Sequence, residues 1–403
     1  MNPTPIERAG PSSLRGQRAD HEEPTRSHFQ VDIGAKDSSR SGRIYYAICL
    51  LALFVIASAS AFSSFYEKWH FREPGVRGVD VGAEFGQIID GSARRPYVYR
   101  QLLPYSANLL THILPLDTIS RHLPTRMKER IQVAFDLQSK AYPVQYLIVY
   151  AETYLFALLA TFALYFVCKA AGLPKPLAVA TPVVFMLLFP LLGIKGGYFF
   201  DFPELFFLAA AAGIALKFDW WFIIPVAALG TWNKESFLLF MFTLYPIFRR
   251  RYSRRLSMFV VAALVLTCLV VYLPIRAQFA HNPGGTVEWH WKEQVSFYLH
   301  PFVMDTWVDR TYDLMFPALS SPLPTLFLIW TVWRAWRYLP FWLKRHAQIA
   351  AVINFPLYFL FCQPGEFRDL SLLYISLVLI IATNLQMWMK QAQPAGERAL
   401  STV

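Results

Sequence analysis

Apolar and polar segments alternate along almost the whole chain after residue 42. Ten apolar segments are long enough to cross, or nearly cross, a hydrocarbon layer of about 30 Å. Several are shorter than the roughly 20 residues of a straight span, so the region 203–248 is predicted to form short, tilted or partly re-entrant helices. The predicted spans are 44–64, 143–167, 176–193, 203–217, 220–231, 235–248, 257–274, 322–336, 347–361 and 369–389.

This pattern predicts an all-α, polytopic integral membrane protein. Its transmembrane domain covers residues 43–390 and is interrupted by two long polar loops, 65–142 and 276–320. The first of these loops follows the first span and is expected to carry short amphipathic helices. Residues 1–42 contain too few apolar residues to form a core, which predicts a disordered tail. Residues 391–403 form a second short tail.

Composition supports the membrane assignment. Of the 403 residues, 55% are hydrophobic and only 16% are charged, which is too apolar for a soluble domain of this length. The net charge of +11 raises the question of nucleic-acid binding. However, Lys and Arg gather in short clusters beside the apolar segments, where they orient a membrane protein, so we predict no nucleic-acid partner. The four cysteines are widely spaced and indicate neither a disulfide framework nor a metal site.

The basic residues also predict an orientation. If the N-terminus is cytoplasmic, the basic clusters at 249–255 and 334–345 fall on the cytoplasmic side, whereas the short outer loops carry one basic residue each. This contrast satisfies the positive-inside rule. We therefore predict a protein of the cytoplasmic (inner) membrane with both termini in the cytoplasm. The oligomeric state is left open.

The same topology puts every conspicuous polar cluster on the outer face. Charges near the ends of apolar helices are costly and usually face a cavity or a partner. We therefore expect these clusters to converge on one site. They are the two long loops and the segments 195–204, 232–236 and 362–369.

Several short motifs in these clusters resemble the glycosyltransferase C superfamily (GT-C). They are Tyr97-Val98-Tyr99-Arg100-Gln101-Leu102-Leu103-Pro104, Asp201-Phe202-Pro203-Glu204, Asn233-Lys234-Glu235 and Gly365-Glu366-Phe367-Arg368-Asp369. The resemblance covers most of residues 44–390. It implies a polyprenyl-phosphate sugar donor, transfer on the outer face and a carboxylate base in the first long loop. The chain lacks the tandem Asp-x-Asp pair and the soluble C-terminal domain of better-known members, which leaves the donor, the acceptor and the need for a divalent cation open.

Transfer of a sugar from a lipid phosphate needs a carboxylate that takes the acceptor proton and cations that stabilise the leaving phosphate. Asp80 is the first candidate for the base and Glu84 the second, and a helix would put both on one face because they are four residues apart. The candidate phosphate-binding residues are Arg100, Arg95 and Lys234, since guanidinium groups bind phosphate bidentately and lysine acts as a point charge.

Each candidate also has a purely structural interpretation. Asp80 and Glu84 could be solvated loop acids, and Arg100 could bind lipid headgroups. Asp201 and Glu204 could simply complement the dipole of the helix that they precede.

The supporting site residues are Tyr99, Asp201, Glu204, Asn233, Glu235, Glu366 and Arg368. His281, His290 and His300 share one loop, but their spacing matches no zinc signature, so no metal site is predicted.

We predict a membrane glycosyltransferase that moves a sugar from a polyprenyl-phosphate donor to a lipid-linked or envelope glycan acceptor. Its partners would be the donor lipid, the membrane and the glycan acceptor. The alternative of a different class is a secondary transporter or lipid-linked-glycan flippase, and a third is a surface-polysaccharide polymerase or ligase. A transporter is expected to show internal repeats and polar groups at mid-membrane, and the sequence shows no clear example of either.

Overall fold

The structure, a computed structural model, contains two units by contact density, residues 1–46 and 47–403. The predicted tails at 1–42 and 391–403 lie almost entirely outside the described residues, and the predicted loop 65–142 lies partly outside them. The residues described are 40–69, 85–115, 118–119, 122, 142–193, 197–285, 287–300 and 308–392.

The described residues are mostly helical. In the first half of the chain the elements are α1 (Arg40–Trp69), α2 (Phe85–Asp90), a 3₁₀ turn (Tyr97–Tyr99), α3 (Leu102–Ile113), α4 (Tyr142–Ala170), α5 (Lys175–Leu188) with its 3₁₀ extension (Phe189–Leu192), and α6 (Asp201–Lys217). In the second half they are a 3₁₀ turn (Trp220–Phe222), α7 (Ile223–Asn233), α8 (Phe237–Thr243), α9 (Tyr245–Phe248), α10 (Arg254–Gln278), α11 (Trp291–Leu299), α12 (Pro322–Trp336), α13 (Phe341–Phe361), a 3₁₀ segment (Phe367–Leu373) and α14 (Tyr374–Ala392).

A small hairpin in the second long loop departs from the all-α prediction. Strands β1 (Val308–Thr311) and β2 (Leu314–Pro317) pair antiparallel, with Val308 opposite Pro317. The two turn residues, Tyr312 and Asp313, have φ angles of 55° and 58°, as a type I′ turn requires. The sequence carries no glycine at this turn, so the usual signal for such a hairpin is missing.

Five helical segments among the described residues are long and apolar enough to cross a membrane, which supports a membrane protein. The other predicted spans coincide with helices that are shorter or more polar. Helix α6 has 17 residues and α12 has 15, whereas the longer α13 carries Lys344 and Arg345. The count of ten spans therefore stays a prediction. The five candidate segments are Gly42–Tyr66, Tyr142–Ala170, Lys175–Leu192, Arg254–Gln278 and Phe367–Gln391.

Helices α4 and α6 of the second unit pack closely against each other. Gly213 of α6 lies against the Phe166 ring, where an added Cβ would come within 2.5 Å of Cδ1. On another side of α4, the Ser58 and Thr161 hydroxyls are 2.8 Å apart. Small residues let helices approach closely, and hydroxyl pairs form hydrogen bonds between them. Both features stabilise helix packing in membranes, where the hydrophobic effect does not drive helices together.

Several helix ends meet around one region and hold the polar segments together. The Asn233 side chain, at the end of α7, donates to the Phe200 carbonyl just before α6, at 2.9 Å. Asn354 of α13 donates to the Asp369 carbonyl at 2.8 Å. Ser106 of α3 donates to Glu152 of α4 at 2.7 Å. These bonds join α7 to the start of α6, α13 to the segment before α14, and α3 of the first long loop to α4.

Candidate active site

A cavity of about 410 Å³ lies where these polar segments meet. Its polar lining comes from parts of the chain that are far apart in sequence. Apolar side chains from α8 and α13 complete the wall. The polar contributors are Tyr97, Tyr99 and Arg100; Lys234, Glu235 and Ser236; Tyr272 and Arg276; Glu288 and His290; Asn354 and Gln363; and Glu366, Arg368 and Asp369.

Lys234 lines the cavity and is the centre of a buried ion cluster. Its Nζ lies 2.8 Å from a Glu204 oxygen, 3.4 Å from Asp369 and 4.0 Å from Asp201. The residue is only 5% exposed. Its ammonium group is therefore compensated by three carboxylates.

The acidic partners of Lys234 are themselves well hydrogen-bonded. Glu204 Oε1 accepts from the Ser371 hydroxyl at 2.7 Å and from the Ser236 hydroxyl at 3.1 Å. Asp201 Oδ2 accepts from the Tyr198 backbone N–H at 2.8 Å. A buried ionic group is tolerated only when such partners replace its lost hydration.

Arg368 is a second buried cation in the same cluster. Its Nη1 lies 3.3 Å from each Asp201 carboxylate oxygen, and its Nη2 lies 3.2 Å from Glu366 Oε2. The guanidinium also lies over the Tyr198 ring, 4.8 Å from its centroid. Asp201 thus lies between Lys234 and Arg368 and joins their two groups of carboxylates.

Arg100 and Glu235 form a third ion pair on the cavity wall. Arg100 Nη2 is 3.3 Å from Glu235 Oε1, and the guanidinium lies 4.3 Å from the centroid of the Phe200 ring. Burial opposes the charge of Arg100, but the neighbouring Glu235 carboxylate outweighs this effect and raises the pKa of Arg100 above its usual value. The arginine therefore keeps its charge at every physiological pH.

Glu366 differs from the other acids of the cavity. It lies in the loop after α13 and is the partner of Arg368. Burial raises the pKa of the Glu366 carboxyl to about 7, although the Arg368 charge lowers it. A carboxyl with a pKa near neutrality is well suited to act as a general acid or base.

Carboxylates outnumber cations in this ion network. The cations Arg100, Lys234 and Arg368 face five acids, Asp201, Glu204, Glu235, Glu366 and Asp369. Despite this excess, the described residues contain no group of three or more His, Cys, Asp or Glu side chains arranged to hold a metal ion.

The described site residues occupy three kinds of position: the cavity lining, buried supports, and, for Arg95, the junction of the two long loops. The candidate bases, Asp80 and Glu84, lie outside the described residues. Asp201, Glu204 and Asn233 lie behind the cavity as buried supports. The remaining predicted residues, apart from Arg95, line the cavity: Tyr99, Arg100, Lys234, Glu235, Glu366 and Arg368.

Arg95 joins the two long loops. Its guanidinium donates to the carbonyls of Ala280, at 3.0 Å, and Gly284, at 2.5 Å, and its backbone N–H donates to Pro283. Asn282 reinforces this junction by donating to the carbonyls of Gly91 and Ala93. Arg95 therefore stabilises the junction of the two loops and does not line the cavity.

Sequence reasoning missed several lining residues. The sequence shows Asp369 only as a member of a local group of charges. Its pairing with Lys234 spans 135 residues and is not visible in the local sequence. Tyr272 and Arg276 belong to α10, and nothing in an apolar helix with a basic last turn distinguishes a cavity residue from an interfacial one. Glu288 comes from the second loop and pairs with Arg94 at 3.0 Å.

An apolar cavity of about 580 Å³ lies beside the polar one. Helices α12, α13 and α14 and the segment that leads into α14 form most of its wall. Phe367 and Leu370 line the apolar cavity, whereas Glu366, Arg368 and Asp369 line the polar one. Residues 366–370, like α13, therefore contribute to both cavities.

No protein-family model matches this chain, and no curated protein or solved structure matches it either. A function must therefore be argued from the chemistry of the two cavities.

Proposed function

We propose that this chain is a membrane glycosyltransferase that takes a sugar from a polyprenyl-phosphate donor. One observation carries the proposal: an apolar cavity adjoins a cavity lined by arginines and carboxylates, across the segment Glu366–Leu370. A polyprenyl phosphate joins a long apolar chain to an anionic head and needs both environments within a few ångströms. The acceptor is a lipid-linked or envelope glycan.

In the proposed reaction, an acceptor hydroxyl attacks the anomeric carbon of the donor sugar. The new C–O bond forms as the bond from that carbon to the phosphate oxygen breaks, and polyprenyl phosphate leaves with the electron pair. A carboxylate takes the hydroxyl proton. Asp80 is the proposed base and Glu84 the second choice, both on the first long loop, whose Tyr97–Arg100 segment reaches the cavity.

The proposed roles of the charged residues follow from their partners. Arg100 lines the cavity, holds its charge and is proposed to face the leaving phosphate. Lys234 is proposed to act mainly by keeping Glu204, Asp369 and Asp201 ionised and in place, since its charge is already shared among them. A fixed charge arrangement stabilises a transition state without reorganisation during the reaction.

The orientation proposed from the sequence is compatible with the distribution of charge in the bundle. Basic side chains gather around helix ends that do not line the cavity, where Arg251 pairs with Asp219 at 3.3 Å and Arg250 lies over the Trp342 ring. We propose ten spans in the cytoplasmic membrane, with these basic residues and both termini in the cytoplasm. The cavity and the loop 65–142 are then on the outer face.

A secondary transporter or lipid-linked-glycan flippase is the second candidate. The buried network around Lys234 favours it, because coupled transporters use paired ionisable groups inside a helix bundle. The same network serves a glycosyltransferase by holding the acids of the site. Measured chemistry separates the two candidates.

The test uses full-length protein in membranes or liposomes with a panel of short-chain polyprenyl-phosphate sugars. We expect new glycosidic bonds and released polyprenyl phosphate, detected by mass spectrometry. Asp80→Asn and Arg100→Ala should each abolish transfer while the protein remains folded and inserted. Lys292→Gln, an exposed residue of α11 outside the cavity lining, is the matched control and should retain activity.

Full activity in both site variants would overturn the assignment of these residues. Movement of a labelled donor lipid across the liposome membrane, without any new glycosidic bond, would favour the transporter instead.

A further inference from the structure

Arg276 is a cation of the cavity wall that differs from the others. It lies in the last turn of α10 and lines the cavity together with Tyr272, one turn earlier. Its guanidinium donates to the Tyr272 hydroxyl. Within the described ranges of the chain, it forms no ion pair with a carboxylate.

The other three cations of the cavity are already compensated. Arg100 pairs with Glu235, Lys234 with three acids, and Arg368 with Asp201 and Glu366. An anion that enters the cavity therefore meets uncompensated positive charge at Arg276. Glu366 and Asp369 line the same cavity, but their charges are offset by Arg368 and Lys234.

Two buried donors on the lining of the same cavity also favour an anion. The Tyr99 hydroxyl and the Arg100 Nε group are both buried, and neither has a hydrogen-bond partner among the described residues. Tyr99 is 4% exposed. A buried donor without an acceptor is unfavourable, and an oxyanion would supply acceptors for both.

We propose that Arg276, Tyr99 and Arg100 form the subsite that binds the phosphate ester of a lipid. This inference rests on the proposed function and adds an orientation to it. The phosphate binds at the Arg276 wall, and the acceptor hydroxyl binds towards Glu366 and Asp369. The lipid phosphate has two possible sources, an isoprenoid and a membrane phospholipid, which share the chemistry that the subsite recognises.

The test measures binding rather than catalysis. Citronellyl phosphate, inorganic phosphate and short-chain phosphatidylglycerol are titrated separately into the full-length protein in detergent by isothermal calorimetry. We expect citronellyl phosphate to bind most tightly. Arg276→Gln should weaken its binding about 10- to 100-fold, the range for loss of a charge-assisted contact. Tyr99→Phe should weaken binding by a smaller factor.

Two variants control for charge and for folding. Lys292→Gln removes the same charge from an exposed position outside the cavity lining and should leave binding unchanged. Arg276→Lys keeps the charge but loses the bidentate geometry, so it should bind with intermediate strength. If Arg276→Gln does not fold, Arg276→Lys and Tyr99→Phe replace it in the test. Wild-type affinity in both of these folded variants would then overturn the subsite.

The outcomes also separate this inference from the proposed function. Unchanged binding in folded Arg276→Gln overturns the subsite even if glycosyl transfer occurs, and so does absence of binding by all three probes. Arg276-dependent binding without any transfer supports the subsite and contradicts the glycosyltransferase. Tighter Arg276-dependent binding of phosphatidylglycerol supports the subsite and assigns it to membrane phospholipid.

Discussion

Replacement of Lys234 by methionine should strongly destabilise the protein. The distances of 2.8, 3.4 and 4.0 Å to its three carboxylates correspond to attractions of roughly 6, 5 and 4 kcal/mol at an effective dielectric constant of about 20. Most of this attraction offsets the cost of removing the charges from water. Lys234→Met removes the attraction and leaves the acids buried, for which the expected loss is about 3–5 kcal/mol.

The loss should depend on pH in a defined direction. Without the ammonium group, burial disfavours the ionised form of the three acids, so the penalty exists only where they are ionised. In acid both the folded and unfolded chains are protonated and the penalty is absent, and it grows as the pH rises. We therefore expect a larger loss at pH 8 than at pH 5.

The measurement is unfolding by SDS in mixed micelles, followed by tryptophan fluorescence at both pH values. Lys292→Met, which removes an exposed lysine, is the matched control and should change stability by less than about 0.5 kcal/mol. A Lys234→Met protein as stable as that control at pH 8, or one with the same large loss at pH 5, would refute the electrostatic reasoning.

Two further predictions concern Glu366 and Gly197. Because burial raises the pKa of Glu366 to about 7, its negative charge is lost as the pH falls through neutrality, so a lipid phosphodiester should bind more tightly at pH 6 than at pH 8. Glu366→Gln should remove this pH dependence, and a wild-type affinity that is constant across this range would contradict the assignment. Gly197→Ala should destabilise the fold by about 1–3 kcal/mol, because the new Cβ would come within 2.2 Å of the Phe65 ring and 2.6 Å of Asp201 Oδ2. An unfolding temperature of Gly197→Ala equal to that of the wild type would contradict this prediction, because it would show that the neighbouring side chains move aside at little cost.

The positions of the helices could be predicted well from hydropathy. The structure has helices at each of the ten predicted apolar segments, with ends that differ by a few residues. Apolar composition over such lengths leaves few alternatives to helix in a membrane. Hydropathy is a weaker guide to which helices cross the membrane, because α6 and α12 are short and α13 carries charges near its start.

The charged residues of the site could also be recognised, because a Lys or Asp at the end of an apolar helix is costly without a partner. Their partners could not be predicted. Arg100 pairs with Glu235, and Arg368 with Asp201, across 135 and 167 residues. Such pairs depend on which helix ends lie side by side, and local sequence does not contain that information.

The sequence by itself determined an apolar helical chain with its polar motifs grouped between the helices. Only the tertiary structure decided what each polar residue does. It placed Arg95 between the two loops and the Lys234 charge among three acids, and it brought Arg276 into the cavity wall. The physical reason is that the role of a charge depends on the balance of charges around it, and that balance is set by helices packed from distant parts of the chain.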